Sequence, residues 1–337
     1  MAVLTTDVTI LGAGVAGLAL ATELVGRGVG VTLIDRNGGP GPGACSWWAG
    51  GMLAPFCEGE SAEEPVVRLG QEAAGWWQAH AGSVTRAGTL VLALGRDRAE
   101  LDRFARRTQG HVTLGPDEIA ALEPDLAGRF GRALFFEAEA HLAPRRTLEA
   151  LRDGLRARGV EIRTGTEAGT EAVGSGPVFD CRGLEARDRL PDLRGVKGEM
   201  LVLRCPDVAL ARPVRLLHPR IPLYVVPRGD GVFMLGATML ESAERGRVTA
   251  RALLEMLTAA YALHPAFGEA EVLEIGVDAR PAFPDNLPRL RRAGGRIHVN
   301  GLYRHGFLLA PALARMAADL VTGGDRPEVM DADHGEW

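Results

Sequence analysis

The chain has 337 residues and a formal net charge of −5 at pH 7, with a pI near 6.0, which argues against a basic nucleic-acid-binding surface. A hydrophobic fraction of 46% can fill a core and excludes disorder over most of the length. Of the 38 basic residues only Lys197 is a lysine, so Schiff-base chemistry has a single candidate.

Residues 7–11, Asp7-Val8-Thr9-Ile10-Leu11, are apolar and β-branched, which predicts a strand buried on both faces. A glycine turn follows. Residues 15–27 carry apolar side chains at helical spacing, and Gly28 is placed to end that helix as a left-handed cap. Residues 29–35 predict a second strand, and the strand–helix–strand unit implies parallel pairing. Residues 37–43 read as a Gly- and Pro-rich loop. Residues 63–80 predict one helix, with Trp76-Trp77 near its end. Residues 88–136 alternate short strands with helices over 97–108 and 116–122.

Pro144 opens a further helix at its first turn, running to Arg158 and closed by Gly159. Strands are expected over 160–163 and 178–180. A hairpin is expected from 224–227 to 231–236, through Arg228-Gly229-Asp230. A helix over 248–263, a strand over 296–300 and a last helix over 308–322 complete the expected elements. The acidic tail from 323 to 337 is expected to fray. No basic segment precedes an early apolar stretch, so no signal peptide is expected. The longest apolar runs fall far short of the ~20 residues that span a bilayer, so no membrane segment is expected. Cys45, Cys57, Cys181 and Cys205 show no C-x-x-C spacing, so reduced thiols in the cytoplasm and no metal site are the expectation.

Three motifs carry chemistry. The first is Gly12-Ala13-Gly14-Val15-Ala16-Gly17, between a predicted strand and a predicted helix. Gly12 permits the tight turn, Gly14 lets backbone approach a pyrophosphate, and Gly17 lets helix and strand pack closely. The helix start offers free N–H groups and partial positive charge to phosphates. Asp35 ends the next strand, 18 residues after Gly17, where an acid accepts hydrogen bonds from ribose hydroxyls. An acid there rather than a basic residue argues against a ribose 2′-phosphate, and Arg36 beside it is a further cofactor-binding candidate. The second motif runs from Cys45 to Pro55. Its Ser46 hydroxyl can reach a phosphate, and Gly50-Gly51, before Met52, lets backbone lie against a flat ring system. The third runs from Gly301 to Pro311 and includes Tyr303, His305, Gly306, Phe307 and Leu308 at a strand-to-helix junction. A second helix N-terminus there would stabilise negative charge developing on a cofactor. The fingerprint alone leaves NAD and FAD both open.

These three motifs, in this order, resemble the D-amino-acid oxidase family of FAD flavoproteins. AGGMLAPF at 49–56, YVVPRGDGVFMLGATM at 224–239 and GLYRHGFLLAP at 301–311 are similar to its glycine-oxidising branch. The likeness runs over nearly the whole chain and is weakest over 88–136. It implies a mixed α/β fold: an FAD-binding Rossmann-like domain (1–85, 140–215 and 275–337) interleaved with a substrate domain on an antiparallel sheet (86–139 and 216–274). It implies non-covalent FAD, since no cysteine follows Cys205 to carry a late cysteinyl link. It implies oxidation of glycine or another small amino acid to the imine or glyoxylate, with dioxygen reduced to hydrogen peroxide, in thiamine thiazole biosynthesis. Arg280 and Tyr224 match the residues that hold the substrate carboxylate, and Arg304 matches a second arginine near the substrate entrance. No protein general base and no metal are implied, and relatives are often homo-oligomers.

Several residues depart from the family pattern. Ala279 precedes Arg280 in Val277-Asp278-Ala279-Arg280-Pro281, Phe283 stands where a small residue is usual, His305 precedes Gly306, and Trp47-Trp48 replaces small residues. Each could reshape the pocket or its rim. They keep sarcosine, D-amino acids and N-substituted glycines as alternative substrates, and a quinone as alternative acceptor. A regulatory or tRNA-modifying protein of the same fold is the reading from another class, and the net charge opposes it.

Overall fold

The predicted strand–helix–strand start forms the centre of a six-stranded sheet. The computed structural model describes residues 7–167, 174–218 and 222–331. Val8–Leu11 pairs in parallel with Val31–Asp35 on one side and Val178–Asp180 on the other. Glu161–Thr164 and Arg296–Asn300 extend the parallel set, and Arg289–Ala293 adds an antiparallel edge. All four residues of Val8–Leu11 are buried, as strands covered on both faces must be. Helix Val15–Gly26 packs over this sheet with helices Pro144–Ala157 and Gly306–Thr322 against it. Leu18, Leu20, Leu33, Leu309 and Leu313 are fully buried in their core. Gly28 and Gly159 follow their helices at φ of 77° and 80°, the left-handed positions expected of them.

A second, nine-stranded sheet is mostly antiparallel. Its order is Leu240–Glu241, Arg194–Arg204, Val232–Gly236, Leu223–Gly229, Val214–Leu217, Thr89–Ala93, Ala133–Phe136 and Val112–Leu114, with Glu271–Ala282 also paired along Arg194–Arg204. Val214–Leu217 and Thr89–Ala93 are the parallel exception. Helix Ala250–Leu263 covers this sheet with Met256, Ala260 and Leu263, and the Thr249 hydroxyl accepts from Ala252 N–H at 3.2 Å to cap it. A small sheet of Met52–Leu53, Ala140–Leu142 and Val84–Thr85 stands beside the two. Among the described residues no helix is long and apolar enough to cross a membrane, and no group of three or more His, Cys, Asp or Glu is placed to hold a metal.

Some expectations change. The helix expected over 63–80 is two helices, Glu64–Gly70 and Ala73–Ala81. At the break a Cβ on Gly70 would stand 2.7 Å from Leu308 Cγ, so glycine lets the last helix approach. The two longest strands, Arg194–Arg204 and Glu271–Ala282, carry charges inside their runs and lack strand patterning. The lone lysine explains one of those charges. Lys197 is 5% exposed and bonds Glu244 at 2.6 Å and the Arg247 carbonyl, with Glu199 at 3.6 Å. The tail does not fray over 323–331. Leu290 N–H donates to Val329 O and Asp331 N–H donates to Leu290 O, while Asp331 also pairs with Arg289 and Arg291. Residues 332–337 lie outside the described residues.

Candidate active site

A cavity of about 1120 Å³ is lined from both large sheets. Every site residue singled out from the sequence lines it except Ala13 and Gly17. Those two act from behind. Ala13 N–H donates to Asp35 Oδ2 at 2.6 Å, which ties the acid to the glycine turn. A Cβ on Gly17 would overlap the Gly12 carbonyl. Gly12 itself sits at φ 99°, and a Cβ there would stand 2.7 Å from Cys181 O. Gly12 and Gly17 therefore have the steric reasons expected of them.

The opening of helix Val15–Gly26 carries no side-chain cap and no acidic residue in its first turn. Its N–H groups are therefore left for a ligand. The Ser46 hydroxyl is buried without a hydrogen-bond partner among the described residues, beside Gly14, where a Cβ would stand 3.5 Å from Ser46 Oγ. A buried orphan hydroxyl next to an uncapped helix start and an acid at the next strand end fits a dinucleotide such as FAD. Asp35 keeps acceptor capacity, since among the described residues Oδ1 takes only Asn37 N–H, at 2.7 Å. Arg36 pairs with Glu185 at 2.8 Å on the cavity edge.

Gly51 is required by φ 74°, and a Cβ there would overlap Leu142 O. Gly50 admits a flat ring from the protein itself: a Cβ would stand 2.8 Å from the Tyr224 ring. Arg228, expected as a turn residue, instead points inward and clamps this loop, donating to Gly50 O at 2.7 Å and Leu142 O at 3.1 Å. Burial lowers its guanidinium to about 10. Met52 pairs with His141 in the small sheet. Trp48 wedges against Gly276, where a Cβ would overlap its ring, and Arg145 lies 4.8 Å over Trp47 and 5.2 Å over Trp48.

At the other end stands Arg280, opposite Val196 in the sheet. Its Nη1 donates to Thr238 O at 3.1 Å, and among the described residues it has no carboxylate partner. Gly198 makes room, since a Cβ there would overlap the guanidinium. Thr238 is held in turn by fully buried Glu199, to which its hydroxyl donates at 2.8 Å. Tyr303, at φ 49°, donates its N–H to Pro281 O at 2.9 Å and so ties the third motif to the Arg280 strand.

Four charged or titratable groups meet on the wall beside it. Glu58, which ends helix Pro55–Glu58, pairs with Arg215, with Arg304 at 3.1 Å and with His305 Nδ1 at 3.5 Å. Burial alone would raise the Glu58 carboxyl, but Arg304, Arg215 and His305 outweigh it and hold it down to about 2. Burial lowers His305 to about 4, so its imidazole is neutral at pH 7. His305 is buried against Glu58 and faces neither solvent nor backbone alone. Phe283 does not reach the cavity: it is fully buried under Arg289 and Arg291, against Gly301. Glu58, Arg215 and Arg228 were not singled out from the sequence. Arg228 lay inside a diagnostic segment, and Glu58 lies two residues beyond one.

The chain matches the family model of the FAD dependent oxidoreductases, DAO, over residues 7–320. It is 57% identical over 323 residues to the Rhizobium etli protein that bears the name thiamine biosynthesis oxidoreductase ThiO, covering 95% of this chain and 98% of that one. It is 30% identical over 365 residues to the glycine oxidase of Pseudomonas aeruginosa, covering 96% of each. The crystal structure of glycine oxidase from Geobacillus kaustophilus shares the fold, with a TM-score of 0.79 at 24% identity over 95% of this chain and 96% of that one. The chain belongs to the DAO family of FAD-dependent oxidoreductases.

Proposed function

We propose that the protein oxidises glycine, or another small amino acid, to the imine with dioxygen as acceptor, giving hydrogen peroxide, and that it serves thiamine thiazole biosynthesis in the cytoplasm. The relatives named for thiamine biosynthesis and for glycine oxidation support this reading. The part built on the six-stranded sheet holds the cofactor, and the part built on the nine-stranded sheet presents the substrate contacts.

Ser46, the start of helix Val15–Gly26 and Asp35 would hold the phosphates and a ribose of FAD. The start of helix Gly306–Thr322, also without a side-chain cap or first-turn acid, directs partial positive charge at the same cavity. FAD, when bound, supplies the two-electron acceptor for the amino acid's Cα–H. The protein's own work is to bind and orient. Arg280 offers a planar fork whose one partner among the described residues is a carbonyl, suited to a bidentate carboxylate. Tyr224, locked between Gly50 and Gly236, lines the same cavity and would offer it a hydroxyl. Arg304 and His305 bound the adjoining wall, and His305 is held neutral there, so it adds no charge. Trp48 and Met239 enclose the remaining space.

The observation that carries this reading is the carboxylate-free guanidinium of Arg280 inside the cavity. Purified holoprotein is expected to release peroxide with glycine in a panel that includes sarcosine and D-alanine. Arg280→Ala should raise KM by ~100-fold, the scale of a lost charge-assisted pair. No peroxide from any member of the panel, or a wild-type KM in Arg280→Ala, would overturn the reading.

A further inference from the structure

We propose that Glu58 sets substrate specificity: by occupying Arg304 it restricts the cavity to ligands with a single carboxylate. The inference rests on Arg280 as the carboxylate receptor and adds to it a reason why a second carboxylate is refused.

Seven arginines line the cavity, and Arg36, Arg103, Arg182 and Arg245 are each paired with a carboxylate; the other three are Arg215, Arg280 and Arg304. A cavity with two free guanidinium forks would bind dicarboxylates well. Only Arg280 is free of an acid among the described residues. Arg215 holds Glu58 from behind through Oε1, and its Nη1 also donates to Cys57 O at 3.3 Å. That leaves Glu58 Oε2 turned toward Arg304 Nη2 at 3.1 Å and His305 Nδ1 at 3.5 Å. This oxygen is buried and lacks an aligned hydrogen bond. Arg304 is therefore held by charge rather than by bond geometry. Its other contact is the Met239 sulfur at 3.5 Å, a weak acceptor. The Arg304 side chain is 25% exposed, so it has room to move once released.

A dicarboxylate would have to take Arg304 from Glu58 and place a second negative charge beside a buried carboxylate. Both cost free energy in a low-dielectric site, and a monocarboxylate incurs neither. Neutralising Glu58 removes the competitor and the repulsion together, while Gln keeps the shape and an oxygen for Arg215.

The test is equilibrium binding of acetate, malonate and succinate to the FAD-loaded protein, read from the change in its visible spectrum. In the wild type neither dicarboxylate should bind tighter than acetate. In Glu58→Gln the affinity of at least one dicarboxylate relative to acetate should rise by about 10-fold or more, the value of one charge-assisted contact. Adding Arg304→Met to Glu58→Gln should abolish the gain. Should the buried Arg215 left behind prevent folding, Glu58→Gln with Arg215→Met removes both buried charges and carries the same expectation. An unchanged ratio overturns the proposal, as does a gain that survives Arg304→Met. Loss of acetate binding without any gain also overturns it, because Glu58 would then touch the ligand directly. Spectral binding does not depend on turnover. A wild type that binds these anions as expected but oxidises no small amino acid would refute the proposed reaction and leave this inference standing.

Discussion

Arg280 owes its position to a missing side chain. Its guanidinium lies across Gly198, and the Thr238 carbonyl it bonds is pinned through Glu199. Gly198→Ala should push the fork aside while keeping every charge. The expected result is a KM for the amino acid raised by ~10-fold or more, with kcat changed less, because an aligned charge-assisted contact is lost. Steady-state kinetics checks this, and an unchanged KM would mean that the fork needs no such placement. Glu139 makes a second residue-scale case. It is 1% exposed and accepts Cys57 N–H at 2.7 Å. Burial pushes its carboxyl up from 4.5 to about 7. Between those values the folded chain keeps a proton that the unfolded chain has released. The stability it contributes is full below pH 4.5 and is lost as pH rises through 7, a change on the order of 3 kcal/mol. Glu139→Gln should flatten that decline in urea unfolding curves taken across the window, and parallel curves for the two proteins would refute it. That Arg280 and Tyr224 reach the cavity is legible because they sit in segments with a recognisable pattern. Glu58, Arg215 and Glu139 were not, because their character comes from burial and from partners as far away as Arg215 is from Glu58, or Cys57 from Glu139.

The first helix shows how much one element depends on two glycines of different standing. Gly17 faces the Gly12 carbonyl with no room for a Cβ, whereas Gly26 in the last turn has nothing near it. Gly17→Ala should separate the helix from Val8–Leu11 and from the turn that the cofactor needs. The expected cost is ~3 kcal/mol or more in chemical unfolding, the scale of overpacking a tight contact, with loss of bound FAD on gel filtration. Gly26→Ala should be neutral or stabilising by up to ~1 kcal/mol, since alanine favours helix. Equal effects at the two sites would show that close packing is not what Gly17 supplies. Such an element is readable in sequence because local rules agree along it: buried strand, glycine turn, apolar helix, left-handed cap. Arg194–Arg204 is the opposite case. Gly195, Lys197, Gly198 and Glu199 break the strand pattern, and only tertiary partners account for them. Gly198 makes way for Arg280, while Lys197 and Glu199 satisfy each other, Thr238 and the loop before helix Ala250–Leu263.

At the scale of the molecule, the cavity lies where two sheets meet. Gly12 and Asp35 approach it from the six-stranded sheet, and Tyr224, Arg215 and Arg280 from the nine-stranded sheet. A ligand that fills about 1120 Å³ there touches both and couples them. Binding to the folded state alone raises stability by RT ln(1 + [L]/Kd), or ~2.7 kcal/mol at a hundredfold excess over Kd. At ~2–4 °C per kcal/mol for large domains, the apoprotein should gain ~5–10 °C in Tm at that excess of FAD. The gain should keep climbing with the logarithm of FAD concentration. Ser46→Ala removes a buried hydroxyl that has no partner among the described residues, so it should leave the Tm without FAD nearly unchanged and displace the whole FAD-dependent curve to higher concentration. Thermal scans of the two apoproteins across an FAD series separate the alternatives. A Tm indifferent to FAD would mean that the cavity does not join the sheets through this ligand. A Ser46→Ala curve that falls at zero FAD but runs parallel above it would make Ser46 a packing residue and not a phosphate contact.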